Sequence, residues 1–160
     1  MWCYTMLRSH AACLQRSFMF VGQYIFNFAS QIPAASAIIH NGNAVSYRAF
    51  AGAIASASSE LAPHISPPPG TVAIKIRDLA DCWVATLALQ ARGYRTVCVA
   101  SLDVLASLEV RGLLAIVVSA DEEGVAEANR LAPVYAMRKP VFDDAVAFDP
   151  PPLAEGVEAC

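Results

Sequence analysis

The stretch TVAIKIRDLADCWVATLALQARGYRTVCVA, from Thr71 to Ala100, decides the fold. Thr71 to Ile76 is β-branched and mostly apolar, the composition of a strand. Asp78 follows where a helix N-cap belongs. Asp81 stands in the first turn, where a carboxylate meets the positive end of the helix dipole. The helix then runs to about Arg92. Leu79, Trp83, Leu87 and Ala91 share one face, and Val84, Ala88 and Leu89 fill most of the others, so this helix needs cover on several sides. Gly93 is its stop, and Thr96 to Val99 supplies a second strand. Strand, crossover helix and strand in so short a span imply parallel strands joined right-handed. The expected architecture is a three-layer α/β fold: a short, largely parallel sheet with helices on both faces, plus an N-terminal helix and a β-hairpin.

The rest of the chain adds layers to this unit. Phe18, Val21, Ile25 and Phe28 recur at helical spacing and Pro33 ends the run, which predicts an N-terminal helix with that inner face. Ala37 to His40 and Asn43 to Val45 flank Asn41-Gly42, the dipeptide that most favours a tight type I′ hairpin turn. Ser46 caps a helix whose apolar face is Phe50, Ile54, Ala57 and Leu61. Pro63 closes it, and Pro67-Pro68-Pro69-Gly70 is a stiff connector into the central unit. Beyond Ala100 the pattern predicts a helix over 102–111, a strand over 113–118, a helix over 122–131 and a last short strand over 134–137. Residues 18–140 form the expected domain, residues 1–17 an extension or disordered segment, and residues 141–160 an acidic, Pro-rich tail. Because Met19 opens the first helical pattern, translation from either Met1 or Met19 keeps the domain whole.

Composition bounds what such a chain does. Of its 160 residues 56% are hydrophobic and only 16% charged, a surplus of core that implies heavily buried helices or a surface meant for a partner. Net charge is −3, and no basic stripe with interleaved aromatics exists, so nucleic acid is not expected. The acid-poor start carries Arg8, His10 and Arg16, a sparse pattern for a transit peptide. Cys3, Cys13, Cys82, Cys98 and Cys160 show neither a CxxC nor a metal-ligand spacing, and their odd number argues against a disulfide framework. The expected compartment is the reducing cytoplasm. Phe18 to Ala29, interrupted by Gln23 and Asn27, is too short to span a bilayer.

Three stretches carry a resemblance. Ile32-Pro33-Ala34-Ala35-Ser36-Ala37-Ile38-Ile39-His40-Asn41-Gly42 is similar to the opening Pro, small-residue run, strand and turn of the adenylate-forming superfamily, the AMP-binding enzymes that include acyl-CoA synthetases. Ala44-Val45-Ser46-Tyr47-Arg48-Ala49-Phe50 resembles that family's helix start. Pro69-Gly70-Thr71-Val72-Ala73-Ile74 with Ala85 to Gly93 resembles its next strand and helix end. Thr71 stands where the family often has Asp, and Arg92-Gly93 where it usually has Ala-Gly. The resemblance covers roughly residues 20–140 and implies carboxylate activation by ATP and Mg²⁺ in the complete enzyme. The family's phosphate loop is missing here. The eight glycines, Gly22, Gly42, Gly52, Gly70, Gly93, Gly112, Gly124 and Gly156, are never closer than ten residues, whereas a phosphate cradle needs several backbone N–H groups to converge.

The residues with reactive side chains all have plain structural roles in the sequence. His40 beside the hairpin turn reads as an exposed structural histidine, and His64 between two prolines has no partner at readable spacing. Cys82 beside Asp81 reads as a core cysteine, and Asp143-Asp144 as solvated acids. Lys75 and Arg77 alternate with Ile74 and Ile76, suggesting a strand with one face open to solvent or a missing neighbour. No catalytic residue and no metal site are therefore expected, cofactor-binding positions stay unassigned, and no cofactor is expected in this chain. The functional expectation is an N-terminal fragment of an AMP-dependent ligase, inactive alone, with a non-catalytic interaction module or one chain of a split ligase as the alternative. Its expected partner is the rest of a ligase or a second copy, met through apolar surface.

Overall fold

Short-range chemistry sets most element boundaries in the computed structural model, which describes residues 21–121 and 129–145. Helix α1 (Val21–Gln31) leads into strands β1 (Ser36–His40) and β2 (Asn43–Ser46), which pair antiparallel. Asn41 and Gly42 join them with φ of 50° and 79°, the two left-handed positions that a type I′ turn requires. Ser46 Oγ accepts a hydrogen bond from Ala49 N at 3.0 Å and so caps helix α2 (Tyr47–Leu61). Its predicted face, Phe50, Ile54, Ala57 and Leu61, is buried.

Strand β3 (Thr71–Lys75), helix α3 (Leu79–Ala91) and strand β4 (Arg95–Cys98) form the expected central unit. Asp78 Oδ1 caps α3 by accepting from Ala80 N at 2.9 Å and Asp81 N at 3.1 Å. Gly93, with φ of 89°, takes the left-handed conformation that ends it. Tyr94 then donates its hydroxyl to Ser66 O at 3.1 Å, pinning the proline connector to the start of β4. Helix α4 (Leu102–Ser107), strand β5 (Leu113–Ser119) and strand β6 (Val134–Met137) complete the described elements.

The sheet order is β4-β3-β5-β6 and every pairing is parallel. The chain goes from β3 to β4 on one side and returns past β3 to lay β5 on the other. Right-handed connections therefore put α3 and α4 on opposite faces. Packing agrees. Val72, Ile74, Ala115 and Val117 face Phe50, Ile54, Val84 and Ala88 of α2 and α3, while Ala73, Ile116 and Val118 face Leu105 of α4 and Ala132. Both faces of the sheet are covered, as the sequence predicts.

Five expectations change. Helix α1 buries Gly22, Phe26 and Ala29 instead of the predicted face: Val21 is 62% exposed, and Phe18 lies outside the described residues. Gly22 and Ala29 let α1 lie close, with Phe26 as the one large side chain inserted. On α3, Leu87 and Ala91 are buried as expected, but Leu79 and Trp83 are exposed, because no described element covers that end. Helix α4 stops short of residue 111 because Glu109 takes a φ of +44°. Of the helix predicted over 122–131, residues 122–128 lie outside the described set and 129–131 form turns. Strand β3 has no open face, since Ala73 is fully buried and only Lys75, at its end, is half-buried.

Candidate functional site

An open parallel sheet has a natural crevice where its strand order reverses, outside the carboxyl ends of the strands. Here the reversal falls between β3 and β5, and a crevice of about 400 Å³ lies at that place. The segment after β3 contributes Ile76, Arg77, Asp78 and Asp81; β5 ends in Ser119, with Asp121 two residues on; Lys139 comes from beyond β6. The first turn of α3 forms the crevice wall through Asp78 and Asp81, so the cap that starts the helix also lines the cleft.

Asp81 is the least ordinary group in it. The residue is only 4% exposed, and its Oδ1 has no hydrogen-bond partner. Burial, and then the neighbouring Asp78 carboxylate, raise its pKa above the ordinary aspartate value, while Lys139 and His40 pull it the other way. Mixed charge is therefore the character of the cleft. Three carboxylates and two cations suit a polar ligand that carries both a donor and an anionic group. Among the described residues no cluster of His, Cys, Asp and Glu could hold a metal ion.

The structure brings some of the candidate residues together and separates others. His40, at the end of β1, places Nε2 3.7 Å from Asp78 Oδ2 and 3.0 Å from Asn41 Nδ2, so the hairpin rests against the crevice wall. Arg77 and Asp81 line the same space. His64 lies elsewhere, stacked on Tyr135 with ring centroids 4.5 Å apart. Tyr135 in turn donates to Glu60 Oε1 at 3.2 Å. Glu60 also accepts from Arg138 N at 3.1 Å, binding α2 to the end of β6. Burial and the Glu60 carboxylate raise the Tyr135 pKa. Asp143 accepts from Ala145 N at 2.8 Å, and Asp144 accepts from the Ser46 hydroxyl. Phe142 packs on Phe50 and His40. The packed chain thus continues to Asp144, while residues 146–160, most of the expected tail, lie outside the described residues.

Ser119, Asp121 and Lys139 were not singled out from sequence. Their common signal is position: each lies at or just beyond the carboxyl end of a strand in a parallel sheet. The described crevice holds one hydroxyl, Ser119, but neither glycine-lined phosphate cradle nor histidine base beside it, so no nucleophilic constellation is assembled. A second hollow of about 250 Å³ lies between α2 and residues 138–143.

No family model matches the sequence, and no curated protein sequence matches it. Solved structures do match. O-succinylbenzoate coenzyme A synthetase (MenE) from Bacillus subtilis in complex with AMP aligns over 71% of this chain and 30% of its own, with 20% identity and a TM-score of 0.61. The same enzyme with the acyl-adenylate intermediate OSB-AMP aligns over 82% of this chain and 34% of its own, with 18% identity and a TM-score of 0.63. The N-terminal subdomain of Klebsiella oxytoca NpsA in complex with 3-hydroxybenzoyl-AMSN aligns over 72% of this chain and 29% of its own, with 20% identity and a TM-score of 0.61. The chain thus spans about a third of the length of the structures it matches. At these identities the likeness is one of fold: this α/β layer is built as the matching parts of the MenE and NpsA structures are.

Proposed function

We propose that this chain is the opening α/β portion of an ATP-dependent acid:CoA or acid:carrier ligase, an enzyme that activates a carboxylate as its acyl-adenylate, and that it has no ligase activity by itself. The observation that carries the reading is the agreement of the hairpin, cap and Pro-Gly strand motifs in the sequence with a fold shared with MenE and NpsA over 71% to 82% of the chain. The phosphate-holding groups are then supplied by residues this sequence does not contain, because its glycines are too far apart to form the cradle. ATP and Mg²⁺ belong to the complete ligase on this reading, and none of the residues here is given a catalytic role.

The partner proposed is the remaining body of the ligase. Its proposed seat is the outer stripe of α1 and the residue just past its end, where Val21, Tyr24, Phe28 and Ile32 are 62%, 47%, 38% and 47% exposed. The proposed compartment is the cytoplasm, in keeping with the free thiols Cys82 and Cys98. No helix among the described residues is long and apolar enough to cross a membrane.

Calorimetric titration of Mg-ATP into the purified, folded chain tests the reading. No micromolar binding is expected, and ATP–pyrophosphate exchange with a panel of carboxylic acids is expected to stay at background. Micromolar ATP binding to a folded monomer would overturn it and require a phosphate site among the residues present.

A further inference from the structure

Helix α3 and strand β4 are consecutive, and the tight turn at Arg92–Tyr94 folds the strand back along the helix. The start of the helix therefore lies beside the end of the strand. Cys82, in the first turns of α3, and Cys98, the last residue of β4, meet there with their Sγ atoms 3.5 Å apart, the Cys82 thiol donating to the Cys98 sulfur. Thr86, one turn along, places its hydroxyl 2.8 Å from Cys82 O and 3.6 Å from Cys98 Sγ. Cys82 is 8% exposed and Cys98 is open to solvent. Two thiols in contact, one inside and one outside, 16 positions apart in the chain, are more than two core cysteines require.

We propose that Cys82 and Cys98 are a reversible redox pair: Cys98 is oxidised first by a peroxide and Cys82 resolves it to an intramolecular disulfide. In the first step Cys98 Sγ attacks a peroxide oxygen, the O–O bond breaks, and Cys98 becomes a sulfenic acid as one water leaves. In the second, Cys82 Sγ attacks Cys98 Sγ, the S–S bond forms, the S–O bond breaks, and the hydroxyl leaves with the Cys82 proton as a second water. Hydrogen peroxide accepts the two electrons that the thiols give up. A dithiol reductant reverses the reaction and is itself oxidised to a disulfide. The sulfurs need to close by about 1.5 Å to reach bonding distance, a movement open to β4 because among the described residues it is an edge strand with one sheet neighbour.

The order of events follows from environment. Burial, reinforced by the Cys98 sulfur, pushes the Cys82 thiol up to about 11, so at neutral pH it is protonated and shielded while the exposed Cys98 meets the peroxide first. The disulfide would fasten the free edge of the sheet to the helix that covers it. Oxidation is thereby read out as rigidity at β4, whatever the chain's catalytic history.

The unmutated chain tests this. After reduction, brief treatment with hydrogen peroxide and alkylation of the remaining thiols, trypsin cuts at Arg77, Arg92, Arg95 and Arg111 and separates the two cysteines onto peptides 78–92 and 96–111. The expected result is these two peptides joined, in monomeric protein, and separated again by dithiothreitol. Both peptides fully alkylated after oxidation, or Cys98 linked only to Cys3, Cys13, Cys160 or another molecule, would overturn the pair. In a folded Cys82→Ser chain, dimedone is expected to trap Cys98 as its sulfenic acid, with several-fold more adduct than in the unmutated chain. Equal trapping in the two chains would overturn the assigned order.

Discussion

Asp81 is a carboxyl held in a place that does not favour its charge. Its ordinary pKa of 3.8 is raised by burial and by Asp78. Between 3.8 and the raised folded value the folded state holds more proton than the unfolded one. Stability therefore falls as pH rises through that window, and the cost of the ionised group is present in full above it. Asp81→Asn is expected to flatten this acid-side slope and to raise stability at neutral pH by about 1 kcal/mol, read by thermal unfolding across the acidic and neutral range. A lower midpoint at neutral pH would mean that the carboxylate has a partner. Asp78→Asn gives the companion outcome. Asn still caps α3, so the helix stays, but the neighbouring charge is gone and the Asp81 pKa is expected to fall in a carbon-detected NMR titration.

At the scale of elements, the register of α1 is the sharpest test of packing. Phe26 is 5% exposed and inserted beneath the helix, whereas Val21 stands 62% exposed. Phe26→Ala is expected to cost about 3 kcal/mol and Val21→Ala less than about 0.5 kcal/mol, measured by urea unfolding. The reverse order would restore the face predicted from spacing. That face misled because α1 has two apolar stripes, and periodicity counts large side chains while the contact here is made by Gly22 and Ala29. Where structure is decided within a few residues, the sequence was readable: the Asn41-Gly42 turn, the Ser46 and Asp78 caps, the Gly93 stop and the parallel unit from Thr71 to Ala100 all form as their local chemistry dictates. The extent of α4 was not, since nothing local in Leu108-Glu109 marks the left-handed residue that ends it. The crevice was not either. Arg77, Ser119 and Lys139 lie far apart in sequence, and only the reversal of strand order brings them to one place.

At the scale of the molecule, the surplus of apolar residues resolves into a covered sheet and an uncovered helix face. On the proposed reading, in which the exposed face of α1 seats a ligase body, the chain is expected to self-associate when alone. Replacing Val21, Tyr24 and Ile32 by Ser, and keeping Phe28 because it packs on Tyr47, is expected to yield a monomer of unchanged stability by sedimentation. An unmutated chain that sediments wholly as monomer would remove the reason for a seat there, and a discrete dimer would assign the face to a second copy.

The position of β3 inside the sheet bears also on how the chain leaves the ribosome. Both of its neighbours, β4 and β5, are translated after it. The core that covers α2 gathers side chains from Phe26 to Met137, with Phe142 packed against it. The hairpin and the first two helices are thus synthesised before the four-stranded sheet that receives them. Until β5 lies beside β3, the faces of α1 and α2 have only each other, the hairpin, α3 and β3 to pack against, so the first half of this core is completed by the second.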